Sequence, residues 1–163
     1  MKIGIISDTH DVHRNALKAA EIFAARKVNY IFHAGDIVSG YIAEILAGVE
    51  GSKFIGVFGN CDTERAELTS ATGIYEGQIH DVFGGEIGGR RIFIKHKVES
   101  PEEIAASGKY DLVIYGHTHR KDIHRRGGTL VVNPGTARHW LMGKSEVVVV
   151  ELDDMSTEEV SLR

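Results

Sequence analysis

One α/β domain, built as two packed sheets flanked by helices, is the fold class this sequence predicts, and three observations carry that reading. The first third alternates short apolar runs with amphipathic stretches, the pattern of parallel βαβ units. The second half turns to closely spaced strands joined by Gly-containing turns, which antiparallel hairpins use and a purely parallel sheet does not. No internal repeat, linker or low-complexity segment divides residues 1–163, so one domain is expected.

Each element follows from local pattern. Residues 2–6 are a short apolar run without alternation, as in a strand buried on both faces. Across 13–26, Ala16, Leu17, Ala20, Phe23 and Ala24 recur at helical spacing, with Lys18, Glu21 and Arg26 between them. Residues 29–33 form a second strand, 41–47 a second amphipathic helix with Ser39 as its expected cap, and 53–58 a third strand. Residues 78–83 and 91–95 read as strands, with Gly88-Gly89 as a two-residue hairpin turn before the second. Ser100-Pro101-Glu102-Glu103 opens a short helix, with Pro101 at its first position and a capping box between Ser100 and Glu103. A buried strand is expected at 111–115, a hairpin around Gly127-Gly128, a strand at 129–132 and a turn at Asn133-Pro134-Gly135. Residues 146–152 and 158–162 close the chain as a hairpin across Asp153-Asp154.

Composition narrows the function classes. With 42% hydrophobic and 26% charged residues, the chain matches an ordinary globular domain long enough to bury a core. A net charge of −4 advertises neither nucleic acid nor anionic lipid as a partner. No apolar run approaches a membrane span or a signal peptide, and Cys61 is the only cysteine, so an intrachain disulfide is impossible and a cytoplasmic location is expected.

Chemistry gathers at the ends of the apolar runs. Gly116-His117-Thr118-His119 follows one of them, and in an extended chain residues i and i+2 point to the same side. Asp8-Thr9-His10, Gly35-Asp36, Gly59-Asn60 and His96 follow other runs in the same way. Ligands of open α/β sheets bind beyond the carboxyl ends of the strands, so strands sharing one edge would bring Asp8, His10, Asp36, Asn60, His96, His117 and His119 together. The glycines before Asp36, Asn60 and His117 fit tight turns leaving the strands. Seven such residues exceed the roughly six donors one ion takes and suit two ions sharing a carboxylate. Imidazole, carboxylate and amide donors favour manganese, iron, zinc, nickel or cobalt over calcium or a thiolate zinc site. Two such ions, about 3.5–4 Å apart, generate a bridging hydroxide and suit in-line displacement at phosphorus.

This series of motifs, in order and spacing from residue 2 to about Gly135, resembles the calcineurin-like metallophosphoesterases, in particular their small single-domain bacterial and archaeal phosphodiesterases, the group that includes Vps29. The resemblance implies a four-layer α/β/β/α sandwich with two mixed sheets. It implies a first metal on Asp8, His10, Asp36 and His119, and a second on Asp36, Asn60, His96 and His117. Hydrolysis of a small phosphate ester, most naturally a diester, by the bridging hydroxide is the implied activity, with Mn2+ the leading metal. A Vps29-like interaction scaffold with a vestigial site is the alternative, and a homo-oligomer is compatible with either. Val132-Asn133-Pro134-Gly135-Thr136 is similar to the family turn bordering the site.

Two positions depart from the family pattern. Many relatives carry a histidine after Gly-Asn, paired with an acidic residue, to protonate the leaving group; here Cys61 and Asp62 stand there. A thiol with pKa near 8.5 is a poorer proton shuttle than imidazole. Asp62 is expected to orient a ligand or cap the next segment, and is placed with Asp36 and Asn60 among the catalytic residues. After His96 the chain reads Lys97-Val98 where close relatives often continue Gly-His. His13, His33, His80, His124 and His139 fit no ligand position, His33 being the best candidate to support one. Arg65, Arg138 and His139 are possible substrate contacts, and Trp140 and Leu141 fit either a core or a subunit contact.

Overall fold

The computed structural model describes residues 1–138 and 145–163; the expectations for His139, Trp140 and Leu141 fall outside them. Its first part runs β1 (Lys2–Ile6), α1 (His13–Ala25), β2 (Tyr30–His33), α2 (Gly40–Ala47), β3 (Lys53–Val57), α3 (Arg65–Gly73) and β4 (Gln78–His80). It continues through β5 (Phe83–Ile87), β6 (Arg90–Ile94), α4 (Pro101–Ala106), β7 (Leu112–Ile114), β8 (Lys121–Arg126), β9 (Thr129–Pro134), β10 (Glu146–Glu151) and β11 (Ser156–Ser161).

Two mixed sheets result, ordered β11-β10-β1-β2-β3-β4 and β5-β6-β7-β9-β8. Side-chain alternation along the strands sorts three cores between four layers. Ile31 and Phe54 face the helices, packing with Phe23 of α1, Ile42 and Leu46 of α2 and Leu68 of α3. Their neighbours Phe32 and Ile55 face the other way, joining Ile3, Ile5 and Val57 against Ile92, Ile94, Ile114 and Val132 of the second sheet. Across that sheet, Val113, Tyr115 and Val131 meet Ala105 and Ile104 of α4. Each large side chain so buried contributes about 1.5–3 kcal/mol. The four-layer α/β/β/α sandwich with two mixed sheets is therefore the observed fold.

Register decides where the functional loops emerge. Parallel pairing sets Ile6 level with His33 and His33 level with Gly56, while Ile94, Ile114 and Val132 are level in the second sheet. The carboxyl ends of β1, β2, β3, β6, β7 and β9 therefore share one edge of the sandwich.

Several local expectations are corrected. Residues 78–83 are not one strand: β4 pairs with β3 in the first sheet and β5 with β6 in the second, and the chain changes sheets at Asp81-Val82. α3 carries no clear sequence signal; buried Leu68, Ala71 and Thr72 hold it in place. Ser39 occupies the N-cap of α2 without a side-chain cap bond, and the Gly40 N–H instead donates to Glu67 Oε1 of α3 at 3.0 Å. The capping box at Ser100 does not form either, because the Glu103 N–H donates to the Ser100 carbonyl (3.1 Å) and the Ser100 side chain makes no cap bond.

Candidate metal centre

The loops leaving the shared edge are tied to one another by their backbones. The Asp8 N–H donates to the Gly35 carbonyl (3.0 Å), the His10 N–H to the Asp36 carbonyl (3.1 Å) and the Gly116 N–H to the His96 carbonyl (2.9 Å). Asp8, His10, Asp36, His117 and His119 all adopt left-handed backbone, with φ of 52°, 44°, 56°, 68° and 57°. Such values are uncommon outside glycine, and a cluster of them marks strained loops of the kind found at functional sites.

Side-chain donors converge in two groups about Asp36. One ligand atom from each of Asp8, His10, Asp36 and His119 lies within 4.8 Å of the other three. His10 Nε2 is 3.5 Å from Asp36 Oδ2, and His119 Nε2 is 3.2 Å from Asp8 Oδ1. On the other side, His96 Nε2 is 3.4 Å from Asp36 Oδ1 and 3.1 Å from Asn60 Oδ1. The His117 ring stands edge-on to that of His96, with centroids 5.2 Å apart. All seven predicted ligand residues thus lie at one edge, and Asp36 offers one oxygen to each group.

The donor set fits cations. Asp8 Oδ1 is buried with no hydrogen-bond donor, an arrangement that costs about 1–3 kcal/mol or more unless something positive meets it. Asp8 Oδ2, by contrast, accepts from Ser7 Oγ (2.5 Å) and the His117 N–H (3.2 Å), which aims Oδ1 at the cluster. His96 Nδ1–H donates to the Ala34 carbonyl (2.7 Å), so Nε2 is the nitrogen turned toward Asp36 and Asn60. Burial opposes ionisation of Asp36, but hydrogen bonds from His96 and Cys61 outweigh it and hold the carboxyl well below the usual range. Burial also opposes a charged His96, yet Asp36 raises its pKa overall. The carboxylates draw positive charge onto the site.

Residues behind the donors fix their positions. Asp62, 4% exposed, accepts N–H bonds from Gly59 (2.6 Å) and Asp36 (3.0 Å) on Oδ2 and from Val38 (2.7 Å) on Oδ1. His33 Nδ1 accepts the Gly35 N–H (3.1 Å), so its Nε2–H donates to Thr9 Oγ1 (3.1 Å), which lies 3.3 Å from the Asp36 carbonyl oxygen. Burial lowers the pKa of His33 to about 3, so the ring is neutral. Cys61 remains a thiol, since burial and the hydrogen bond to Asp36 both raise its pKa. Arg65 lies over the Phe58 ring at 4.3 Å and pairs with Asp81 at 2.7 Å, and Lys97 is exposed. Thr136, in the turn expected to border the site, donates its hydroxyl to the Asp8 carbonyl (2.9 Å), whereas Ser7 carries no sequence signal of its own and only its neighbours in the fold reveal it.

Of the three glycines before Asp36, Asn60 and His117, Gly35 turns the chain at φ 96°, as expected, whereas the other two act by close approach. A Cβ on Gly59 would overlap Asp36 Oδ1 and the Asp36 backbone nitrogen, and one on Gly116 would overlap Ser7 Oγ and stand 2.7 Å from Asp8 Oδ2. Neither has positive φ, so the expected tight-turn role gives way to one of space.

Comparison with known proteins identifies the family and the fold. The family model described as the calcineurin-like phosphoesterase superfamily domain matches residues 1–155. Phosphodiesterase MJ0936 of Methanocaldococcus jannaschii is 37% identical over 166 residues, covering 99% of this chain and 99% of its own. A solved archaeal phosphodiesterase superposes with a TM-score of 0.91 at 34% identity, covering 99% of both chains. Wild-type Vps29 of Entamoeba histolytica, complexed with Zn2+, covers 100% of both chains with a TM-score of 0.67; at 16% identity it shows the fold alone. With its ligand-bearing edge, its four-layer sandwich and a match over nearly the whole sequence, the chain belongs to the calcineurin-like phosphoesterase superfamily.

Proposed function

We propose that this protein is a dinuclear metal-dependent phosphodiesterase, with Asp36 shared between the two ions. The observation that carries the reading is the division of the Asp36 carboxylate, Oδ2 toward His10 and Oδ1 toward His96, whose Nε2 also meets Asn60 Oδ1. Asp8, His10 and His119 would complete the first position, and Asn60, His96 and His117 the second. Two divalent ions, when bound, supply Lewis acidity that activates water and neutralises phosphate charge. Manganese is the leading choice, with nickel, zinc, iron and cobalt suited to the same donors.

The chain's own residues shape what is turned over. Asp8, Asp36 and His96 are buried at the floor, whereas Asn60 and His119 are exposed, so the site opens on their side and leaves room for the second ester substituent of a diester. The neutral Cys61 thiol takes the place of an imidazole acid, which favours leaving groups that depart without a proton. The names of the relatives support the diester class. A lone, unpaired cysteine is in keeping with a cytoplasmic setting.

The test is turnover of a bis-nitrophenyl phosphodiester with added Mn2+ or Ni2+, before and after chelation, in wild type and Asp36→Asn. Metal-dependent turnover lost in the variant is expected. Wild type without metal-dependent turnover, or a fully active variant, would refute the reading.

A further inference from the structure

We propose that Asp62 is a positioning residue that sets the affinity of the second ion rather than a participant in proton transfer; this rests on the two-ion reading above. Both its oxygens are occupied by backbone donors and its side chain is buried, so it reaches neither solvent nor a substrate. Its three donors come from two loops. Asp36 and Val38 belong to the loop after β2, and Gly59 to the loop after β3.

The two loops are thereby bonded in both directions. The Asp36 backbone donates to the Asp62 side chain (3.0 Å), while the Cys61 backbone donates to Asp36 Oδ1 (2.8 Å). This reciprocal pair fixes Asp36 Oδ1 relative to Asn60, the residue between Gly59 and Cys61. Those two oxygens are the ones that flank His96 Nε2, at 3.4 Å and 3.1 Å. Asp62 therefore holds the spacing of the Asp36–Asn60–His96 group. Among the first-position ligands, Asp8 is anchored independently of Asp62, by Ser7 Oγ and the His117 N–H, while His10 is tied by its N–H to the Asp36 carbonyl. Replacing Asp62 therefore loosens both loops that carry the second group, whereas the first keeps the independent anchors of Asp8.

Asn is the informative substitution because it keeps the shape but turns one acceptor into a donor, which must then face either the Val38 N–H or the N–H groups of Asp36 and Gly59. Residues that orient metal ligands typically change affinity by about 10–100-fold when altered. Calorimetric titration of metal-free full-length protein with Mn2+, with electron paramagnetic resonance of the loaded protein, tests the proposal. Wild type should take two ions and show the spectrum of a coupled pair. Asp62→Asn should bind the first ion within about threefold of wild type and the second at least about tenfold more weakly, with the coupled signal lost at matched loading. Near-UV circular dichroism of the metal-free variant checks that it folds. If it does not, Asp62→Glu, which keeps the charge, is titrated in its place and should show the same selective weakening. A folded variant that binds both ions as wild type does, or that weakens both equally, overturns the positioning role and leaves the two-ion reading intact. A wild-type chain that takes a single ion overturns the two-ion reading and this inference with it.

Discussion

The two edges of the sandwich solve the same backbone problem with different residues. At the edge opposite the ligands, left-handed backbone falls largely on glycine: Gly51, Gly88, Gly89, Gly108 and Gly127, joined by Lys27, Glu76 and Met155. At the ligand edge it falls on Asp8, His10, Asp11, Asp36, Val38, His117 and His119, with Gly35 and Gly135 beside them. A left-handed residue bearing a side chain carries roughly 1–2 kcal/mol of strain that glycine avoids. Connections that only reverse the chain relax into glycine. Loops that must present a carboxylate or imidazole cannot, so strain collects where the chemistry is.

Buried polar support should separate the edges most. His33 binds a proton with pKa about 6.5 in the unfolded chain and about 3 in the fold. Between those values the unfolded state holds more protons, so stability falls as pH drops through that window, by up to about 1.4 kcal/mol per pH unit. Urea unfolding of the metal-free protein from pH 7 to 4 should show this slope, and His33→Asn should be shallower by about one proton; parallel curves would remove His33 as its source.

Close approach comes next. Gly59→Ala must push Asp36 aside and should lower metal-dependent turnover by about 10²-fold, since a displacement near 1 Å has that effect. Gly127→Ala at the far edge, where nothing lies within 4 Å, should leave turnover unchanged. Equal losses in the two variants would erase the distinction.

Strain itself is tested by a paired exchange. Val38, at φ 73°, joins none of the three cores, so Val38→Gly should raise thermal stability by up to about 1 kcal/mol. Gly127→Ala, at φ 59°, should lower it by about as much. Melting temperatures that move the other way would show the ligand edge to be relaxed.

The smallest effect belongs to the far-edge ion pair. Arg91 holds the Asp111 carboxyl down to about 2, contributing stability above the ordinary carboxylate pKa that is lost as pH falls through about 2. Because Arg91 is half exposed, Arg91→Ala should cost under about 1 kcal/mol at neutral pH, and less in high salt. An effect rivalling that of His33 would contradict the contrast between buried and exposed support.

Much of the molecule was legible in the residues. The run-and-helix alternation gives β1 through β3 with α1 and α2, because a strand buried on both faces and an amphipathic helix leave different periods in the chain. The seven donor positions stand out because strand ends are where apolar runs stop. Other elements were hidden for definite reasons. Arg65–Gly73 contains Thr, Ser and Gly, weak helix formers, and is helical because Leu68 and Ala71 find a core. Residues 78–83 give no hint that β4 and β5 enter different sheets, since sheet membership is not a local property.

By itself the sequence determined which donor side chains stand at the strand ends and in what order along the backbone they come, because chemical type and periodicity are carried residue by residue. Only the tertiary structure decided how they are held. That Gly59 and Gly116 make room for neighbouring carboxylates, that Asp62 faces backbone N–H groups, and that Asp36 turns one oxygen each way are relations across space. Nothing in the local chain encodes them, because the partners lie dozens of residues away and meet only when both sheets are packed.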